Sequence, residues 1–161
     1  MIETDLQADL QYMQQALGLA DQASALGEVP VGAIIVHDGL IVGTGFNRRE
    51  IDRDPLAHAE ILAIREASRA LDRWRLMGCT LYVTLEPCPM CAGAIVNARV
   101  DTVVYATRDP RAGAMDTHYG IGKGAPLNHT CIVREGVLQA ESAQRLKSFF
   151  LLKRNRKKES A

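Results

Sequence analysis

Thr80-Leu81-Tyr82-Val83-Thr84-Leu85, followed by Glu86-Pro87-Cys88-Pro89-Met90-Cys91-Ala92-Gly93-Ala94, is the stretch that decides the fold. Residues 80–85 read as a strand, Glu86-Pro87 breaks it, and Pro89 begins a helix that runs through Ala98, because proline is tolerated in a helix's first turn. A strand that hands over directly to a helix is the building block of layered α/β structure. Working toward the C-terminus, Thr102 to Ala106 is another strand. Residues 107–129, with many glycines, two prolines and little periodicity, read as a long functional surface loop. Cys131 to Arg134 is a short strand, and Val137 to about Lys157 a closing helix.

The N-terminal half repeats the alternation. Leu6, Leu10, Met13, Leu17 and Ala20 recur at helical spacing and predict an amphipathic helix ending near Gly27. Val31 to Val36 is short, apolar and rich in β-branched residues; His37-Asp38-Gly39 turns it into Leu40 to Phe46, a β-hairpin. Asp54-Pro55 opens the next element, and His58, Ile61, Leu62 and Arg65 follow on a helix reaching about Leu71. The expectation is an α/β/α sandwich with helices on both faces of one sheet, and a single domain over residues 1–161 with a basic C-terminal helix.

Composition narrows the class. A chain of 161 residues with 47% apolar and 24% charged residues is that of a soluble globular protein able to bury a core without staples. Lys plus Arg equals Asp plus Glu at 19 each, so bulk charge predicts no partner and any nucleic-acid surface must come from local clustering. Cys79, Cys88, Cys91 and Cys131 comprise one C-x-x-C and two isolated thiols, poor material for a secreted disulfide framework. The acidic start Met1-Ile2-Glu3-Thr4-Asp5 does not resemble a signal peptide, and no stretch is long enough to span a bilayer. Cytoplasmic localisation is expected, where paired cysteines bind metal or do redox work.

The chemistry-bearing residues are His58 with Glu60, and Cys88 with Cys91. One imidazole and two thiols supply three ligands for zinc and leave the fourth tetrahedral position to water, as a catalytic site requires. Cys88 and Cys91 are about one helical turn apart, so both sulfurs face one point. Each ligand set lies near a helix start, where the dipole favours thiolate. Two thiolates and a neutral imidazole cancel the zinc charge, and a base close by should help deprotonate the water. Glu60 is the candidate: it accepts the water proton, passes it to a ring nitrogen, and protonates departing ammonia. Other readings are a redox C-x-x-C pair, or a structural zinc site closed by Cys79 or Cys131; neither explains Glu60 after the ligand histidine or Pro87 before Cys88.

With these motifs the chain resembles the cytidine-deaminase-like superfamily, and within it the tRNA-specific adenosine deaminases, from about Leu10 to Lys157. The H-x-E…P-C-x-x-C pattern is the signature of zinc nucleobase deaminases. Supporting blocks are Gly27-Glu28-Val29-Pro30-Val31-Gly32-Ala33, Gly45-Phe46-Asn47-Arg48, Asp54-Pro55-Leu56-Ala57-His58, Asn128-His129 and Ser148-Phe149-Phe150 before a basic end. The resemblance implies a cytidine-deaminase-like sandwich on a five-stranded mixed sheet. It also implies one Zn²⁺ per subunit, a homodimer, and conversion of adenosine to inosine at the wobble position of a tRNA anticodon stem-loop. By the same implication Asn47 hydrogen-bonds the flipped adenine, Val29 and Pro30 line its pocket, and Asp109 contacts a ribose hydroxyl of the flanking nucleotide. Phe149, Lys153, Arg154, Arg156 and Lys157 would hold the RNA, cations on phosphates and an aromatic on a base. The chain departs from the family between Gly113 and Gly124: it lacks the usual Gly-Ser pair and carries Asp116, His118, Tyr119 and alternating glycines. His118 reads as loop polarity and His129 as a structural hydrogen bond. Two alternatives stay open: a small-molecule deaminase of guanine or cytosine type, and a noncatalytic zinc-stabilised RNA-binding module.

Overall fold

Asp38 and Gly39 both take positive φ (49° and 77°), which a two-residue hairpin turn of the primed type requires. They join β1 (Gly32–His37) to β2 (Leu40–Phe46) as antiparallel neighbours, with Ala33 opposite Gly45. The computed structural model describes residues 3–124 and 126–161. Its sheet adds β3 (Cys79–Leu85), β4 (Thr102–Thr107) and β5 (Ile132–Glu135) in the order β2-β1-β3-β4-β5. β1 runs antiparallel to β2 and β3, whereas β3, β4 and β5 are mutually parallel. The helices are α1 (Glu3–Ala25), α2 (Ala59–Ala70), α3 (Pro89–Asn97) and α4 (Gln139–Glu159).

Alternation along the strands divides the core in two. Ala33, Ile35, Leu81, Val83, Val103 and Tyr105 pack against Ala59, Ala63 and Ala67 of α2 and Ala92 and Ile95 of α3. Ile34, Val36, Tyr82, Val104 and Ala106 face Met13 and Ala16 of α1, with Val137 ahead of α4. The result is the expected α/β/α sandwich on a five-stranded mixed sheet. Ser142 of α4 donates to the Thr84 carbonyl at 2.6 Å and Arg145 pairs with Asp21 of α1 at 2.8 Å, which seats α4 beside α1.

One packing detail sets the position of the site. α2 crosses β2 directly over Gly45, where a Cβ would stand 2.9 Å from Leu62 Cβ, 3.0 Å from Ala63 N and closer still to the Ala59 carbonyl oxygen. Glycine there lets the first turn of α2 lie against the strand. Among the described residues no helix is long and apolar enough to cross a membrane.

Two elements differ from the sequence expectation. The second helix does not open at Asp54-Pro55 but at Ala59. Asp54 instead closes a turn, its Oδ1 accepting the Leu56 amide at 2.9 Å and its carbonyl the Ala57 amide at 3.1 Å, while the Arg48 amide bonds the Ala57 carbonyl. The 107–129 segment is not confined to the surface: Gly113, Ala114 and Met115 are buried, and Met115 joins the α2/α3 side of the core. Smaller shifts place the last strand at Ile132 and the last helix at Gln139.

Candidate active site

Pro87 and Pro89 shape the turn that presents the thiols. Cys88 occupies the N-cap of α3 in extended conformation (φ −72°, ψ 173°), Pro89 takes the first turn, and Cys91 sits within it. His58 occupies the matching N-cap position of α2 (φ −78°, ψ 153°), with Glu60 in the first turn. Neither N-cap side chain makes a capping hydrogen bond, and both point between the helices toward each other. The positive ends of two helix dipoles thus meet at one place.

His58 Nδ1 lies 3.6 Å from Cys88 Sγ and 3.5 Å from Cys91 Sγ. A tetrahedral zinc with a nitrogen at about 2.0–2.1 Å and a sulfur at about 2.3 Å has an N···S edge of roughly 3.6 Å. The observed edges therefore fit zinc, and the soft donor set favours it over harder cations. Among the described residues Cys79, Cys131, His118 and His129 do not join this cluster. His118 Nε2 bonds the Pro110 carbonyl at 2.9 Å and His129 Nε2 the Val100 carbonyl at 2.6 Å, so each has a local partner. Three protein ligands leave one tetrahedral corner for a reactant.

The electrostatics match a cation site. The Cys91 thiol, followed by His58, pulls the Cys88 sulfur down to about 4, whereas Cys88 and burial push Cys91 up. Two sulfurs this close compete for a proton, and a divalent cation removes that competition by taking both as thiolates. Hydrogen bonding to Cys88 raises His58. Glu60 is buried, and burial holds its carboxyl above the ordinary range, as suits a group that must take up a proton.

A cavity of about 180 Å³ opens over this cluster, lined by Val29, Asn47, Arg49, His58, Glu60 and Asp109 among others. Pro30 is buried and is not among its lining residues, so the wall on that side is Val29 and Val31. The Asn47 amide donates to the Val29 carbonyl at 3.3 Å and accepts the Arg49 amide at 3.2 Å, which fixes it at the rim with donor and acceptor capacity left.

Val29, Leu85 and Asp109 also line a larger groove that carries Arg108, Arg111, Phe150, Lys153, Arg154 and Lys157. The structure therefore gathers three of the four expected cations beside Phe150 rather than Phe149. Phe149 lies on the other side of α4, in a cleft with Asp21 and Ser24 of α1, and Arg156 lines neither. Sequence reasoning missed Arg49, Arg108, Arg111 and Glu86; the only signal for the first three was cationic residues flanking Asn47 and Asp109.

Over residues 6–107 the chain matches the family described as the cytidine and deoxycytidylate deaminase zinc-binding region. It is 45% identical over 151 residues to the tRNA-specific adenosine deaminase of Haemophilus influenzae, covering 93% of this chain and 87% of that protein. It is similar to a solved structure from biochemical and structural studies of A-to-I editing by tRNA:A34 deaminases at the wobble position of transfer RNA. The TM-score there is 0.82 at 41% identity, covering 84% of this chain and 99% of the other. A guanine deaminase from Nitrosomonas europaea superposes with a TM-score of 0.73 at 26% identity, covering 92% and 93% of the two chains. A thiol-imidazole cluster at two helix starts, a buried carboxylate beside it and likeness along nearly the whole chain converge: this protein belongs to the cytidine and deoxycytidylate deaminase zinc-binding family, in its tRNA-specific adenosine deaminase branch.

Proposed function

We propose that this chain deaminates adenosine to inosine at the wobble position of a tRNA anticodon, with His58, Cys88 and Cys91 holding zinc and Glu60 moving the protons. The observation that carries this reading is the His58/Cys88/Cys91 triangle with Glu60 lining a cavity of about 180 Å³ that shares walls with a groove rich in arginine and lysine. Held by His58, Cys88 and Cys91, zinc would supply Lewis-acid chemistry that lowers the pKa of a water molecule. Glu60 takes a proton from the attacking water and delivers it to the ring nitrogen next to the amine-bearing carbon. A C–O bond forms at that carbon; Glu60 then takes the remaining proton from the new hydroxyl and delivers it to the amine nitrogen, the C–N bond breaks as the carbonyl forms, and ammonia leaves. Water plus adenosine gives inosine plus ammonia. Asn47 holds the base edge, Val29 packs on its face, and Asp109 meets a ribose hydroxyl, a contact that separates RNA from DNA.

Lys153, Arg154 and Lys157 grip the backbone, and Phe150, which lines the same groove, stacks on an unpaired base. Residues 1–161 act as one deaminase domain, in a cytoplasmic homodimer with one zinc per subunit. The test is turnover of a wobble-adenosine hairpin beside free adenosine, cytidine and guanine: inosine in the hairpin is expected, and inertness there with activity on a free base overturns the proposal. A second reading, a free-base deaminase of guanine type, draws on the small cavity and the similarity to the Nitrosomonas enzyme. Truncation after Phe150 separates the two, since it cripples RNA turnover and spares a free base.

A further inference from the structure

Glu86 borders the catalytic cavity two residues before Cys88, and the reaction above gives it no task. It is 2% exposed. Its carboxylate accepts four hydrogen bonds, two on each oxygen. Oε1 takes the Asp109 amide at 3.2 Å and the Thr117 hydroxyl at 2.5 Å; Oε2 takes the amides of Asp116 and Thr117, both at 2.9 Å. A carboxylate offers about four lone-pair positions. All are filled, so Glu86 has no capacity left for water or a base, and it is not a second proton carrier beside Glu60.

What the four bonds do is fold the segment from Asp109 to Thr117 around one point. The Gly113 amide returns to the Asp109 carbonyl at 3.0 Å, and the Ala114 amide bonds the Pro87 carbonyl at 2.8 Å. Gly113 passes so close that any Cβ there would collide with the Glu86 carboxylate and the Asp109 carbonyl. Two residues held this way, Asp109 and Ala112, line the cavity together with Asn47 and Arg49. Asp109 Oδ1 is spent on the amides of Arg111 and Ala112, while Oδ2 accepts no hydrogen bond among the described residues.

We infer that Glu86 is a positioning residue for substrate recognition: it gathers residues 109–117 onto its carboxylate and so aims the free oxygen of Asp109 at the ribose of an RNA nucleotide. This rests on the function proposed above.

The test uses full-length protein loaded with zinc. Glu86→Gln keeps the shape but turns an NH₂ toward two of the four donors; Thr117→Val removes the hydroxyl donor alone. Expected for E86Q is a rise of about tenfold in KM for the wobble-adenosine hairpin with kcat held within about threefold. Amide hydrogen exchange should quicken across 109–117 and stay slow in α3. T117V moves the same readouts less. In a D109A background E86Q adds nothing further to KM, because its effect runs through Asp109. Multiplying effects of E86Q and D109A, a fall in kcat at constant KM, or unchanged exchange across 109–117 each overturns the inference. If E86Q does not fold, T117V decides by the same criteria. A wild-type protein inert on the hairpin refutes the proposed function instead, and the exchange measurement still decides whether Glu86 holds the segment.

Discussion

Replacing Gly45 by alanine perturbs the active site from beneath, without touching a functional group. The new methyl would meet Leu62 Cβ at 2.9 Å, Ala63 N at 3.0 Å and the Ala59 carbonyl oxygen closer than either, where ordinary contact begins at 3.4 Å. The first turn of α2 must therefore retreat by about 1 Å, since helix backbone cannot give way as a flexible side chain would. That turn carries His58 at its N-cap and Glu60 within it. Overpacking of this kind costs about 2 kcal/mol, or roughly 4–8 °C in Tm for a chain of this length. The same displacement stretches His58 Nδ1 away from sulfurs that stand 3.5 and 3.6 Å from it. Misplacement by about 1 Å lowers turnover by about a hundredfold. The assay is thermal unfolding by circular dichroism, zinc release into a chelator, and kcat on the hairpin. Gly18→Ala is the control: Gly18 sits in α1 with nothing within 4 Å of an added Cβ, so that change stabilises by about 0.5–1 kcal/mol and leaves turnover unchanged. A Gly45→Ala protein with wild-type Tm, zinc retention and kcat would refute the claim that this contact seats the catalytic helix.

Two further predictions concern individual charges. Glu60→Ala should retain zinc, because no ligand is lost, yet drop kcat by about 10²–10⁴-fold; a variant with near wild-type inosine formation would remove Glu60 from the proton path. Glu135 is held down to about 2, chiefly by Arg108 and then by Tyr105, whose hydroxyl donates to it at 2.6 Å. Its folded value lies below the ordinary 4.5, so its stabilisation is present above that pH and lost as pH falls toward 2. Glu135→Gln should therefore lower Tm only modestly at neutral pH, by less than about 4 °C for so exposed a pair, with the gap closing between about pH 4.5 and 2. A gap that is constant with pH would place the effect in packing.

Much of the fold is legible in local pattern because local chemistry specifies it. The Asp38-Gly39 turn, the β-branched run before it and the Pro87/Pro89 break each act within a few residues, and each element stands where those residues put it. The cluster of His58, Cys88, Cys91 and Glu60 was readable for a related reason: its two halves, His58 with Glu60 and Cys88 with Cys91, are each spaced within a single helical turn. What escaped depends on long-range bonds. Asp54-Pro55 looks like a helix start until the Arg48–Ala57 bond commits the segment to turns. Residues 113–115 look like surface loop because nothing local shows a buried carboxylate more than twenty positions earlier drawing their neighbours inward. Phe149 and Phe150 are adjacent in sequence, so which of them joins the cationic groove is set by the rotation of α4 on the sheet, fixed at Ser142 and Arg145.

The central claim is that three protein ligands, and no fourth, hold zinc beside Glu60. X-ray absorption at the zinc edge of the purified full-length protein tests it most directly. The account predicts two sulfurs at about 2.3 Å, one imidazole nitrogen at about 2.0–2.1 Å and one light exchangeable scatterer. A third sulfur, or a second imidazole in the shell, would contradict it.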